Sequence, residues 1–294
     1  MTGRIEVRGV TQRYGDVTAL DDVSFTLEGG KIHGLLGRNG SGKTSLLSVM
    51  AAFRKPTAGE VLLDGEPIYE QAAQMQQIAF IRESGDTVED SEKASEALRM
   101  AAYLRPNWDA DYAERLMERF RVPTKTAIGK MSRGQRSALG IVLGLASRAP
   151  VTIFDETYLG LDAPSRAAFY DALLADYMET GRTFIVSTHL IEEVSSLLET
   201  VLILHHGTLL VHEETSELLT RGAAITGPAE VVARVTADLR VIERRQLGRT
   251  VSAMVFGELD AAHVRAARAE GLEVEPIALQ ELFIQLTGDE GGVR

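Results

Sequence analysis

Gly37-Arg38-Asn39-Gly40-Ser41-Gly42-Lys43-Thr44 follows the pattern G-x-x-x-x-G-K-[ST], in which the backbone N–H groups of a glycine-rich loop cradle nucleotide phosphates. Each residue type has a physical task. Gly37, Gly40 and Gly42 let the backbone curl around an anion, Lys43 reaches the β and γ oxygens, and the Thr44 hydroxyl ligates Mg²⁺. Arg38, Asn39, Ser41 and Ser45 complete the stretch expected against ATP. A second group, Asp155-Glu156, ends the apolar run Val151-Thr152-Ile153-Phe154 and so belongs at the carboxyl end of a buried strand, where α/β sheets bind ligands. There Asp155 is suited to hold Mg²⁺, directly or through water, and Glu156 to polarise the water that attacks a γ-phosphate. A solvated acidic turn is the plainer reading of the pair, and the phosphate loop tells against it.

These groups meet only if a sheet positions them. Lys31 to Leu36 is short and apolar and Ser41 to Phe53 has helix-forming composition, so the glycines lie between a buried strand and a helix N-terminus. Ile5 to Val10 and Val23 to Leu27 alternate as half-buried strands, and Gly59 to Ile68 forms a hairpin turning at Asp64-Gly65. From Glu89 to Val122, Ala, Leu, Met, Glu and Arg recur at helical spacing, interrupted at Arg105-Pro106-Asn107-Trp108-Asp109. A strand at Val151 to Phe154, a helix from about Pro164 to Thr180, a strand at Thr183 to Ser187 and a helix from Leu190 imply a parallel sheet, closed by a hairpin of Val201 to Leu204 and Thr208 to Val211. The expected fold class is α/β: a P-loop ATPase core over 1–222, with an antiparallel β subdomain and a helical subdomain at about 89–148. After Arg221-Gly222 the order strand, helix, two strands around Gly248, helix, strand predicts a small α+β, ferredoxin-like appendage over 223–294.

Composition narrows the classes. The chain of 294 residues is 45% hydrophobic and 25% charged, ordinary for a globular protein with a sizeable core. No apolar run approaches membrane-span length, and Met1-Thr2-Gly3-Arg4-Ile5-Glu6-Val7 does not resemble a signal peptide. The absence of cysteine excludes disulfides and thiolate chemistry. A net charge of −11 opposes adhesion to nucleic acid or anionic lipid, so no nucleic-acid partner is expected.

Met131-Ser132-Arg133-Gly134-Gln135 precedes a helical stretch, Arg136 to Ser147, with Ser132 at the N-cap position. Together with the phosphate loop, Asp155-Glu156, Gly160-Leu161-Asp162 and Ser187-Thr188-His189, all in order, this makes residues 4 to about 221 resemble the nucleotide-binding subunit of an ABC transporter. Met131 to Gln135 resembles that family's signature, Gly160 to Asp162 its D-loop and His189 its switch histidine. The resemblance implies two cassettes packed head to tail, as a homodimer or with a related subunit, each ATP lying between one phosphate loop and the other signature. It implies that Tyr14 stacks on adenine, the alternative being a packing residue. It further implies that Ser132, Gly134 and Gln135 reach the partner's γ-phosphate, that Asp162 belongs to the shared site, and that Glu156 and His189 serve catalysis.

Four residues depart from the family pattern. Glu83, after Ile78-Ala79-Phe80-Ile81-Arg82, stands where the family usually has Gln, and is either a carboxylate near Mg²⁺ or a solvated one. Arg133 replaces a signature glycine, and Thr157-Tyr158 replaces the usual Pro-Thr after the catalytic Glu. Tyr103 to Val122 and Leu279 to Gly288 look like a bacterial subfamily that drives a separate permease, often an exporter of the ABC-2 kind. The implied location is cytoplasmic, peripheral on the inner face of the cell membrane, with the permease in a groove between the helical insert and the Glu83 segment. The competing readings are a soluble ABC ATPase acting on ribosomes or DNA and a regulatory cassette. The first usually carries two cassettes or a long coiled coil, neither of which this chain has, and the second is opposed by Lys43, Asp155, Glu156 and His189.

Overall fold

The computed structural model describes residues 3–82, 91–257, 259 and 261–288. Glu83 lies outside them. By contacts the chain divides into two compact units, one of Met1–His189 with Thr200–His212 and one of Leu190–Glu199 with Glu213–Arg294.

The first unit opens with two long strands, β1 (Ile5–Tyr14) and β2 (Val17–Leu27), then β3 (Ile32–Leu36) and α1 (Lys43–Met50). Next come β4 (Ala58–Leu63), β5 (Glu66–Pro67), α2 (Ala72–Met75) and β6 (Ile78–Arg82). Helices α3 (Ala94–Leu104), α4 (Ala110–Arg119) and α5 (Arg133–Ala146) form the helical insert, followed by β7 (Val151–Asp155), α6 (Ala163–Thr180) and β8 (Thr183–Ser187). After the single turn α7 (Ile191–Val194) run β9 (Thr200–His205) and β10 (Thr208–Glu214).

An antiparallel sheet of order β2-β1-β4-β5 and a six-stranded sheet of order β10-β9-β3-β8-β7-β6 result, with β9, β3, β8, β7 and β6 mutually parallel. β3, β7 and β8 are buried at every residue, which is why they read as unbroken apolar runs. Ile5, Val7 and Leu27 from the antiparallel sheet share one core with Leu46 and Leu47 of α1 and with Ile153 and Ile185 of the central sheet. This fixes the phosphate-loop helix between the two sheets.

A buried ionic cluster ties the helical insert to that sheet. The Arg182 guanidinium donates to both oxygens of Asp176, at 2.8 and 2.7 Å, and to the Ala149 and Leu145 carbonyls and the Thr152 hydroxyl. Arg148 adds an ion pair to Asp176 at 3.2 Å and donates to Asp109, whose other oxygen caps α4 through the Tyr112 N–H. Four elements, α4, α5, α6 and β7, are joined at one point.

The second unit contains α7, α8 (Thr215–Thr220), β11 (Gly222–Pro228), α9 (Ala229–Val235), β12 (Val241–Leu247), β13 (Thr250–Phe256), α10 (Ala261–Ala269), β14 (Glu273–Pro276) and α11 (Leu279–Thr287). Its sheet is antiparallel with order β12-β13-β11-β14, the arrangement of a β-α-β-β-α-β module. Ile225, Val232, Val251, Ala253, Val255 and Ala267 form a core of its own. The break read at Gly222 marks the start of β11, but contacts assign earlier residues to this unit as well. The reason is local: α11 packs on α7 and α8 on β11. The helix expected from Leu190 is only one turn long.

Candidate active site

The carboxyl ends of β3, β7 and β8 lie side by side, so three loops far apart in sequence converge. The phosphate loop leaves β3 and enters α1. Gly42 has φ 104°, and a Cβ there would lie 2.4 Å from the Ala19 carbonyl oxygen, so only glycine fits. Gly37 is closed to a side chain for a different reason, since a Cβ would meet Ser41 Oγ and the Leu204 carbonyl oxygen. Gly40, at φ 80°, completes the curl.

Around this loop lies a cavity of about 660 Å³ lined by Tyr14, Asn39, Gly40, Ser41, Gly42, Lys43, Thr44, Ser45, Glu156 and His189. Lys43 is buried, its ammonium donating to the Gly37 carbonyl at 2.7 Å and lying 3.7 Å from Glu156 Oε1. Tyr14, partly exposed at the end of β1, donates to Ser45 Oγ at 3.3 Å with the Arg54 guanidinium 5.0 Å from its ring centroid. Its ring lines the cavity and lies outside the core.

Asp155 is buried, and its Oδ1 has no hydrogen-bond partner. Burial pushes its carboxyl up, opposed by the neighbouring Thr44 and Ser187 hydroxyls and Lys43, with Glu156 adding to the rise. A buried carboxylate oxygen lacking a donor beside the Thr44 hydroxyl is a fit environment for a hard divalent cation. Among the described residues no group of three or more His, Asp or Glu side chains is placed to hold a metal ion by itself. A Mg²⁺ that shares its shell with phosphates and waters needs only one or two protein ligands.

Glu156 adopts φ 52°, a left-handed conformation rare for a side chain of this size, and such strain gathers at functional sites. Its Oε2 lies 2.7 Å from His189 Nδ1 and accepts the Tyr158 hydroxyl at 2.5 Å. The same hydroxyl accepts the His189 backbone N–H at 3.0 Å. Burial, reinforced by the acceptor Glu156, pushes the phenol up and keeps it protonated. Tyr158 was noted in the sequence only as a departure from Pro-Thr; its contacts span two and thirty-one positions.

Ser132, Gly134, Gln135 and Asp162 do not line this cavity. Ser132 caps α5 in a reciprocal capping box: the Gln135 N–H donates to Ser132 Oγ at 3.2 Å and the Ser132 N–H to Gln135 Oε1 at 3.0 Å. Gly134 packs against the Gly160 backbone, where a Cβ would lie 2.6 Å from the carbonyl oxygen. Asp162 caps α6 by accepting the Ser165 N–H at 2.9 Å, and hydrogen bonds from Ser165 hold its carboxyl below the usual range. Residues 132–135 and 160–162 therefore meet through the Gly134 and Gly160 backbones, away from the lining of the phosphate-loop cavity.

A glycine loop at a helix N-terminus, a buried lysine and two carboxylates at the end of the next strand but one define a P-loop nucleotide-binding fold. The ABC transporter family model matches residues 20–158, which carry that family's domain. It is 28% identical to the daunorubicin resistance ATP-binding protein of Streptomyces coeruleorubidus over 99% of this chain and 98% of that one. The ABC transporter ATP-binding protein YtrB of Bacillus subtilis is 28% identical over 97% of this chain and 98% of its own. Among solved structures, an ATP-binding cassette in a dimeric post-hydrolysis state bound to ADP and Pi superposes with a TM-score of 0.64 at 21% identity, covering 72% of this chain and 98% of that one.

Proposed function

We propose that this chain is the ATP-hydrolysing subunit of an ABC exporter, acting on a separate membrane permease as one of two cassettes. The observation that carries the reading is the meeting of Lys43, Glu156 and His189 around one cavity at the ends of three parallel strands, with Asp155 buried at the end of β7 next to Glu156. The loop N–H groups and Lys43 hold the phosphates, and Tyr14 offers a ring to the adenine. Thr44 and Asp155 would hold Mg²⁺, which when bound would neutralise charge developing on the phosphates. Glu156 takes the proton of the attacking water as the bond from the γ-phosphorus to ADP breaks, and His189 steadies Glu156. Ser132, Gly134, Gln135 and Asp162 lie apart from this cavity, as they would if they served the nucleotide of a second cassette. Residues 223–294 are an accessory domain that contributes nothing to the site.

The permease reading draws on a groove of about 300 Å³ between β6 and α3, lined by Phe80, Met100, Leu104 and Arg105, with Tyr103 exposed beside it. No helix of the described residues is long and apolar enough to cross a membrane, so a peripheral place on the inner membrane face depends on such a partner. Isolated from its own membranes, the chain should co-purify with a polytopic protein, and changing Tyr103 and Leu104 to Ser should release it while ATP turnover persists. Recovery with ribosomes or DNA instead would favour a soluble ATPase.

Glu83 is proposed as an additional influence on Mg²⁺. Glu83→Ala should raise the Mg²⁺ concentration for half-maximal turnover several-fold, roughly the effect of losing one carboxylate near a hard cation. A superimposable Mg²⁺ titration would assign Glu83 to solvent.

A further inference from the structure

We propose that Tyr158 is a positioning residue for the hydrolytic step, holding Glu156 and His189 as a single hydrogen-bonded unit. The proposal rests on the reading of Glu156 as the general base. The Tyr158 side chain is only 1% exposed, yet its hydroxyl lies where three groups meet: Glu156 Oε2 at 2.5 Å, the His189 N–H at 3.0 Å and His189 Nδ1 at 2.9 Å. A phenol has one proton to give. Donated to Glu156, it leaves the oxygen lone pairs facing His189, so one hydroxyl fixes both side chains without leaving a buried polar atom unpaired.

The opposite oxygen of Glu156 faces Lys43, so each end of the carboxylate is held from a different direction. The left-handed backbone at Glu156 persists only where its surroundings over-determine it. Tyr158 supplies part of that determination from two residues away, through a turn closed by the Leu159 N–H to the Glu156 carbonyl and the Leu161 N–H to the Tyr158 carbonyl. The ring is tilted against the His189 imidazole at a centroid separation of 5.6 Å, which limits how far His189 can swing. A ring present only to fill space would not place its hydroxyl on Glu156.

The test is Tyr158→Phe in the full chain, which keeps the ring and removes the hydroxyl. Phosphate release should show kcat lowered roughly tenfold or more, the order expected from misplacing a reacting group. KM for ATP, and the affinity of Glu156→Gln,Tyr158→Phe for a fluorescent ATP analogue relative to Glu156→Gln alone, should stay within about twofold. An unchanged or raised kcat, a fall in kcat matched by an equal loss of affinity, or a variant too unstable to purify would each overturn the proposal. The base assignment fails separately: it is lost if Glu156→Gln itself turns over ATP, whereas an inactive Glu156→Gln beside a fully active Tyr158→Phe sinks only the role of Tyr158.

Discussion

Glu156→Gln is expected to bind ATP and Mg²⁺ as the unaltered chain does and to lose hydrolysis by about 10²- to 10⁴-fold, the range for removing a general base. The amide keeps the shape that Tyr158 and His189 contact, and its oxygen can still accept one of their protons, but it no longer takes a proton from water. With turnover blocked, the variant should accumulate as an ATP-dependent dimer, measurable by light scattering. Lys43→Ala should fail at the opposite point. Its ammonium is the buried cation of the loop, so its loss should weaken nucleotide binding by roughly 10- to 100-fold, as for a charge-assisted hydrogen bond. Calorimetric titration separates the two outcomes. If Glu156→Gln retains activity within about twofold of the parent, the base must be sought elsewhere.

Which of these features the sequence disclosed follows from how local they are. The phosphate loop was legible because Lys43 and its carbonyl partners Gly37 and Arg38 lie within one short segment whose glycines admit a curl that side chains would block. Asp155-Glu156 was legible because a fully buried parallel strand announces its own end. The Ser132 cap followed from its place ahead of the helical stretch, but that place could not tell that the Gln135 side chain is itself engaged in the capping box. Tyr158 stood out only as an unusual neighbour of Glu156, because its meaning depends on His189, which a separate strand brings in. The helix from Leu190 was over-extended: Ile191, Val194 and Leu198 have helical spacing, yet the α-helix ends at Val194. Those three apolar side chains are buried all the same, so burial set the spacing without the helix continuing.

Least legible was the ion cluster at Arg182, and it is where the largest stability effect is expected. In sequence, Asp176 and Arg182 are ordinary charged residues at a helix end. In the fold Asp176 is 1% and Arg182 7% exposed, and the guanidinium is bonded on every side. Replacing the whole cluster by apolar groups need not be costly, because desolvating the ions offsets much of their attraction. Removing one partner is different. Asp176→Ala leaves Arg182 with an uncompensated buried charge and removes one of the ion pairs of Arg148, which keeps Asp109 and Glu179, and should cost about 3–5 kcal/mol. The damage should appear first in the first unit, since the cluster joins α4, α5, α6 and β7. The chain's single tryptophan, Trp108, precedes the α4 cap Asp109 and reports on that region. Urea denaturation followed by Trp108 fluorescence should therefore show an earlier transition for Asp176→Ala, and Asp176→Ala,Arg182→Leu should recover part of the loss because the stranded cation is gone. An Asp176→Ala midpoint equal to the parent's, or a double variant no better than the single, would mean that Arg182 is stabilised by its carbonyl and hydroxyl acceptors alone and that the carboxylate is dispensable.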